Sequence, residues 1–576
     1  MKNFLIGLVV GIVFSGLTLL IIGFAIVKMA SSFAEKPVTV ADGSTLVFKL
    51  EGELPEKAPP EIPLPMFEAQ TPLAVHEVWD IFRKAAADPK VKAILLEPRG
   101  LQIGWAKMQE IHDEILQFRK SGKPVIAYLR QPGAREYYLA TASDRIYLAP
   151  EDSLDLKGLR VEAAFIKNTF DKLGIKADVV HAGKYKDAGD MLTQTSMSPE
   201  TREVLNQILD QFYGNLIDTI AQGRKKGADE VKALIDQGPF MASEAIGGGL
   251  VDVLGYEEQA SEELRTRLKQ TELKKLSAKA YLKVPPPSGG VTRRIALVVG
   301  EGEITRGTGN RNSDEEGFTS TGLVRLLKQV EDDSTIKGVI LRVDSPGGDG
   351  VASDEILHEA KNLSKKKPLV ISMSDLAASG GYFVSVTGDP IIAYPNTLTG
   401  SIGVIFARLS LHGLYDKIGV NKQALTRGRY ADLDSDYSAL SDDERQKIAS
   451  QVDAFYKMFV GRVADGRKKT FDQIEPLAQG RVWLGAQAKQ NGLVDELGGL
   501  DRAVELVRQK ANFAASDKIA LVPYPGKRSV FDMLFSHADE SAIVESKIQQ
   551  VFGKLPIGAM ARGGFLKAMP YSITVR

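Results

Sequence analysis

The chain contains no cysteine. This excludes disulfides, thiolate metal sites and cysteine nucleophiles, and it leaves the compartment open, because an anchored extracytoplasmic protein can do without bridges. Net charge is lacking too. Lys plus Arg and Asp plus Glu are each 73 over 576 residues, so no global field draws the chain to nucleic acid. Histidine is scarce: His76, His112, His181, His358, His412 and His537 are the full set. None stands with carboxylates at metal-ligand spacing, so neither a metal nor any other cofactor is expected.

What the chain has in place of these begins with an uncharged apolar run, Phe4 to Val27, between Lys2 and Lys28. As a helix it spans about 36 Å at 1.5 Å per residue, enough for a hydrocarbon core of roughly 30 Å. A cleaved signal peptide has a shorter apolar region and a small-residue cleavage site, so the length favours a retained anchor over residues 1–28. Lysines on both flanks leave its orientation unfixed. A chain this long also needs several folding units.

Beyond the anchor, apolar strand-like runs alternate with segments of helical spacing, the pattern of an α/β protein. Leu46 to Leu50, Val91 to Leu96, Lys123 to Leu129 and Arg145 to Leu148 read as strands, and Val78, Ile81, Phe82 and Ala85 as a helix face. Pro55 to Pro72 reads as an exposed loop. The whole pattern then recurs. Val78, Ile81, Phe82 and Ala85 return 245 residues later as Leu323, Leu326, Leu327 and Val330, and VKAILLE at Val91 returns as IKGVILR at Ile336. YYLATASDRIYLAP at Tyr137 returns as YFVSVTGDPIIAYP at Tyr382, and GLVDVLG at Gly249 as GLVDELG at Gly492. An offset held over this much chain marks a tandem duplication. The expected units are 44–275, a linker at 276–292 around PPPSGG, a second unit at 293–522, and an extension at 523–576. The tail from Val530 to Phe565 reads as an extra helix over an exposed edge, or as a membrane or subunit contact.

The halves differ where chemistry is expected. In PLVISMSDLAASGGY, Pro368 to Tyr382, a buried strand runs into Ser379 and the pair Gly380 and Gly381. A serine at a strand-to-helix turn lies beside backbone N–H groups without intrahelical partners, which can stabilise an oxyanion. The first half has Ala134, Arg135 and Glu136 there. DSPGGD, Asp344 to Asp349, supplies a Pro-Gly-Gly turn whose N–H groups suit the other wall of such a hole, or form an ordinary tight turn. A nucleophilic serine needs a base, and no histidine sits in a motif that pairs with Ser379. Lys186, in AGKYKDAGD, falls on Ala431 at the same offset. One half thus keeps a serine and the other a lysine, which implies one site built from both. A lysine with an ordinary pKa of about 10.4 is almost wholly protonated at pH 7; lowering it to about 7 requires roughly 4.6 kcal/mol of differential destabilisation, which burial between domains can supply.

These motifs, with TLTGSIGV at Thr397 and MSPE at Met197, resemble the long, duplicated form of the signal peptide peptidase A or protease IV family, over nearly the whole chain after the anchor. The resemblance implies a duplicated ββα fold of the crotonase and Clp-protease type. It implies a Ser–Lys peptidase with Ser379 as nucleophile, Lys186 as base and Ser401 orienting the lysine. Gly380 and either Gly348 or Gly347 then form the oxyanion hole. It further implies a bacterial inner-membrane protein with extracytoplasmic domains, assembled as a tetramer, that cuts signal peptides and other apolar peptides beside membrane lipid. Asp187 and Asp190, close to Lys186, are expected to point away from it, since a carboxylate would raise the amine's pKa. Two other readings are a catalytically silent membrane scaffold and acyl-CoA chemistry on the same fold.

Overall fold

The computed structural model describes residues 38–59, 71–285, 291–307 and 317–526, and the backbone strand 565–568. The apolar run at 4–27, residues 286–290 of the PPPSGG linker core and most of the tail lie outside the described residues. Among those described, no helix is long and apolar enough to cross a membrane.

Strands buried on both faces need near-continuous apolar runs and parallel pairing through helical crossovers. In the first half, Val253–Leu254, Arg145–Leu148, Val125–Leu129, Val91–Arg99, Ser44–Glu51 and Lys275–Ser277 form one parallel sheet in that spatial order. The helix Val75–Ala87 buries Val78, Ile81, Phe82 and Ala85 against it, with Phe82 stacked on Phe48 at 4.7 Å. In the second half, Glu496–Leu497, Ile391–Ala393, Leu369–Ala378, Ile336–Ser345, Thr292–Glu301 and Lys518–Tyr524 repeat the order, all parallel. The helix Ser320–Asp332 buries Leu323, Leu326, Leu327 and Val330 in the matching place.

The duplication extends to polar pairs. Arg224 grips Asp252 as Arg467 grips Asp495, and the hydroxyls of Tyr137 and Tyr382 donate to the carbonyls of Leu250 and Leu493. The long helices Pro199–Arg224 and Asp442–Arg467 are capped by Ser198 and Ser441, each accepting from a backbone N–H of the first turn.

Two expectations change. The linker does not begin at 276: Lys275–Ser277 pairs with Ser44–Glu51, and the helix Ala278–Leu282 buries Tyr281, whose hydroxyl donates to Asp88. A fully buried tyrosine ties this stretch into the first half. The Pro55 to Pro72 stretch is not wholly exposed either, since Glu56 is 1% exposed, held by an arginine of the other half.

A third sheet joins the halves. Its order is Phe318–Thr319, Ile304–Thr305, Gly347–Asp349, Phe565–Ala568, Val404–Ser410 and Lys176–Ala182. The first-half strand Lys176–Ala182 runs antiparallel to second-half Val404–Ser410, from Ala182 opposite Val404 to Lys176 opposite Ser410. The helix expected from Val530 to Phe565 lies outside the described residues up to Phe565, where the strand Phe565–Ala568 begins. That strand pairs antiparallel with Gly347–Asp349 on one side and Val404–Ser410 on the other.

Candidate active site

Ser379 ends the strand Leu369–Ala378 and opens the short helix Gly380–Ser385. Its φ is 54° and ψ −112°, a region that costs a non-glycine residue energy and that sharp strand-to-helix turns use to project a nucleophile. The turn is held from both ends: Ser379 N–H donates to the Gly400 carbonyl at 2.7 Å, and Phe383 N–H to the Ser379 carbonyl at 2.9 Å. The glycines after it are needed for space. A Cβ on Gly380 would lie 2.8 Å from Ser353 Oγ and 3.1 Å from Gly348 N, and one on Gly381 2.8 Å from the Ser345 carbonyl. The Pro-Gly-Gly turn therefore abuts the backbone that follows the serine.

Lys186 arrives from the other half. It follows the strand Lys176–Ala182 through Gly183, and its position is fixed by that strand's pairing across the halves. Asp178, fully buried on the strand, accepts from Arg445 Nη2 at 2.7 Å and from Leu440 N–H at 3.1 Å. A buried carboxylate with such partners ties the strand to the second half. Lys186 itself is fully buried, as are Ser379 and Ser401. Its Nζ donates to Ser379 Oγ at 2.9 Å, to Ser401 Oγ at 3.0 Å and to the Ser401 carbonyl at 3.0 Å. These three oxygens are neutral. A general base has to stand within hydrogen-bond reach of the proton it takes, and Nζ stands so toward the Ser379 hydroxyl.

The structure thus brings Ser379, Lys186 and Ser401 within hydrogen-bond distance, with Gly380 beside the turn of Gly347 and Gly348. Asp187, adjacent in sequence to Lys186, gives one carboxylate oxygen to the hydroxyl of Thr201. Burial pushes its pKa up to about 6. Asp190 is likewise raised, first by burial.

Residues absent from the sequence expectation complete the cradle. The loop at Gln479, Gly480 and Arg481 closes over Lys186: Tyr185 N–H donates to the Gln479 carbonyl at 2.7 Å, Gly480 N–H to Ile402 at 2.8 Å, and Ser401 N–H to the Arg481 carbonyl at 2.7 Å. Arg481 lies 4.7 Å from the ring centroids of both Tyr185 and Trp483. A sequence signal for this loop exists, because Gln479-Gly480 recurs in the first half as Gln237-Gly238. Gly403 packs on the lysine stem, its would-be Cβ 3.0 Å from Lys186 Cδ. Among the described residues no cluster of metal-ligating side chains occurs.

Comparison with known proteins bears on the family of the chain. The model of peptidase family S49 matches the chain twice, over residues 117–271 and 361–514. The chain is 34% identical to the chloroplastic serine protease SPPA of Arabidopsis thaliana, over 93% of this chain and 80% of that protein. It is 32% identical to protease 4 of Haemophilus influenzae, covering 89% and 87% of the two chains, and 31% identical to protease 4 of Salmonella typhi, covering 86% and 81%. Two matches, one in each half, a lysine from one half against a serine from the other, and relatives of this kind along most of its length lead to one assignment: the chain belongs to peptidase family S49 and is a serine peptidase.

Proposed function

We propose that the protein is a membrane-anchored endopeptidase in which Ser379 is the nucleophile and Lys186 the general base. The observation that carries this reading is the 2.9 Å hydrogen bond between two fully buried side chains from different halves. Ser379 Oγ attacks the scissile carbonyl carbon while its proton passes to Lys186 Nζ. The resulting oxyanion takes N–H bonds from Gly380 and Gly348; Gly347 N–H already donates to Ser345 Oγ at 3.1 Å, which favours Gly348 for the second. Lys186 returns the proton to the leaving amine, and the acyl-enzyme is then hydrolysed by a water that Lys186 deprotonates. Ser401 holds the amine in line.

The substrates in this reading are signal peptides and similar apolar peptides, bound in extended form. The slot between Gly347–Asp349 and Val404–Ser410 supports that geometry, because a strand of this same chain, Phe565–Ala568, pairs with both of its walls. Addition of a peptide as an extra strand uses main-chain hydrogen bonds for affinity and leaves alternate side chains to set preference. The run at 4–27 acts as the anchor in a bacterial inner membrane, with both halves on the extracytoplasmic face, a crotonase-like fold in each, and assembly into a homo-oligomer.

The test is hydrolysis of a fluorogenic apolar peptide by the full chain in detergent. Lys186→Ala is expected to abolish turnover with folding intact. Lys184→Ala, whose side chain is exposed and pairs with Glu200, retains it. Full activity in Lys186→Ala rules out the dyad.

A further inference from the structure

The strand that carries Ser379 is not regular. Opposite Ile336–Ser345 the pairing runs Val343 to Met373 and then Ser345 to Ala377, so only Asp344 faces Ser374, Asp375 and Leu376. Three residues thus stand opposite one, a bulge with two residues in excess, three to five positions before the nucleophile. A bulge of this kind re-aims the strand end, and it has to be held.

Each of the three bulged residues is held by polar groups that lead to the first half. Ser374 Oγ donates to Glu56. The Asp375 carboxylate accepts from the N–H groups of Gly104, Ala106 and Lys107, at 3.0, 3.0 and 2.9 Å, at the start of the first-half helix Trp105–Arg119. Leu376 N–H donates to Asp344 Oδ1 at 3.0 Å, while Asp344 Oδ2 accepts from Lys107 Nζ at 2.7 Å. Lys107 also lies 3.7 Å from Glu56 and 4.0 Å from Asp375. Glu56 in turn pairs with Arg342, which reaches Glu110 at 2.6 Å. Lys107 is 6% exposed and Arg342 fully buried. Burial would lower the Lys107 pKa, but Asp344, Glu56 and Asp375 outweigh it, so the net shift is upward and the side chain stays cationic.

The duplication gives an internal control. At the 245-residue offset Lys107 corresponds to Ala352, Asp344 to Arg99 and Asp375 to Arg130. The lysine and both carboxylates that close the bulge occur only around the half that has the serine. A group kept merely for interdomain adhesion has no reason to follow the nucleophile.

We propose that Lys107 of the first half is a positioning residue for Ser379, acting through Asp344 and Asp375 to fix the bulge that sets the height of the nucleophile turn. This rests on Ser379 being the nucleophile. The first half then supplies two things to catalysis, the base and the support of the other half's serine.

The test uses the full chain and two readouts: kcat and KM on an apolar fluorogenic peptide, and the rate at which a fluorophosphonate labels Ser379, located by peptide mapping. Lys107→Met is expected to lower kcat and the labelling rate by about 10²-fold, the scale of an ångström's misplacement, with KM within a few-fold of wild type. Lys107→Arg, which keeps the charge, recovers most of the loss. If Lys107→Met fails to fold, the paired variant Lys107→Met/Asp344→Asn removes both charges together and is read instead, with the same loss expected. A folded variant with wild-type kcat and labelling overturns the positioning role alone. Absence of Ser379 labelling in wild type overturns the nucleophile assignment and this inference with it.

Discussion

Gly480 stands against the backbone of Lys186: a Cβ at position 480 would lie 2.5 Å from Lys186 Cβ and 2.6 Å from its N, and the residue has a φ of +75°. The proposed base is therefore seated by a glycine of the opposite half. Alanine at this position meets both the left-handed backbone cost of roughly 1–2 kcal/mol and the lysine main chain, so Lys186 has to move. Gly480→Ala should lower kcat by about 10²-fold, with a much smaller change in KM. Steady-state kinetics beside a thermal melt separates this from unfolding, and wild-type kcat in the variant would show that the seat tolerates displacement.

Ser401 tests a smaller contribution. Its hydroxyl and its carbonyl both accept from Lys186 Nζ at 3.0 Å, so Ser401→Ala keeps the second bond and loses the first. A net hydrogen bond is worth about 0.5–1.5 kcal/mol, and kcat should fall roughly two- to twelvefold at unchanged KM. A loss as large as that of Lys186→Ala would instead make Ser401 part of the proton path.

Much of this was legible in the chain because duplication writes a pattern twice. The helix face at Val78 and its copy at Leu323, and the strands at Val91 and Ile336, carry apolar periodicity that local physics turns into the same elements. The serine and lysine were legible for the opposite reason: Ala134 and Ala431 stand where their copies would be. Partners far apart in sequence were not legible. Glu56 lies in a proline-rich stretch that reads as exposed, yet it is buried because Arg342, 286 residues away, meets it. The pairing of Lys176–Ala182 with Val404–Ser410 likewise leaves no signature in either strand, since it exists only when the halves meet. Gly480 is one glycine among 54; its recurrence as Gly238 marks a shared loop, but its role against the base shows only once Lys186 is in place.

Asp187 makes a prediction about pH. Burial raises its pKa from 3.8 to about 6, and one of its oxygens is buried without a hydrogen-bond partner. Between those two values the folded state binds more protons than the unfolded state, so this group's contribution to stability falls as pH rises from about 4 to 6, and the penalty is complete above that. Asn keeps an oxygen for Thr201 and carries no charge. Asp187→Asn should therefore stabilise the protein at pH 7.5, by at most about 3 kcal/mol for a shift of roughly two units, and do little at pH 4. Thermal melts of the two proteins at both pH values decide it. An equal gain at pH 4 would assign the effect to packing rather than charge.

The tail strand has a consequence for turnover. Leu566 pairs with Asp349 on one side and Ile405 on the other, in the slot proposed for an extended peptide, and Ser379 beside it is fully buried. A protein in which its own strand fills the slot binds substrate only from the fraction with the slot open, so the apparent KM is the intrinsic one divided by that fraction. Proline at 566 has no N–H to donate and a fixed φ, and it fits poorly in a strand paired on both edges. Leu566→Pro in the full chain should therefore lower KM for a short apolar peptide several-fold and leave kcat near wild type, because Ser379 and Lys186 are themselves unchanged. A synthetic peptide of the Phe565–Ala568 sequence with flanking residues, added to this variant, should raise KM again as a competitive inhibitor. An unchanged KM in the variant, together with no inhibition by the peptide, would separate the tail strand from the substrate slot.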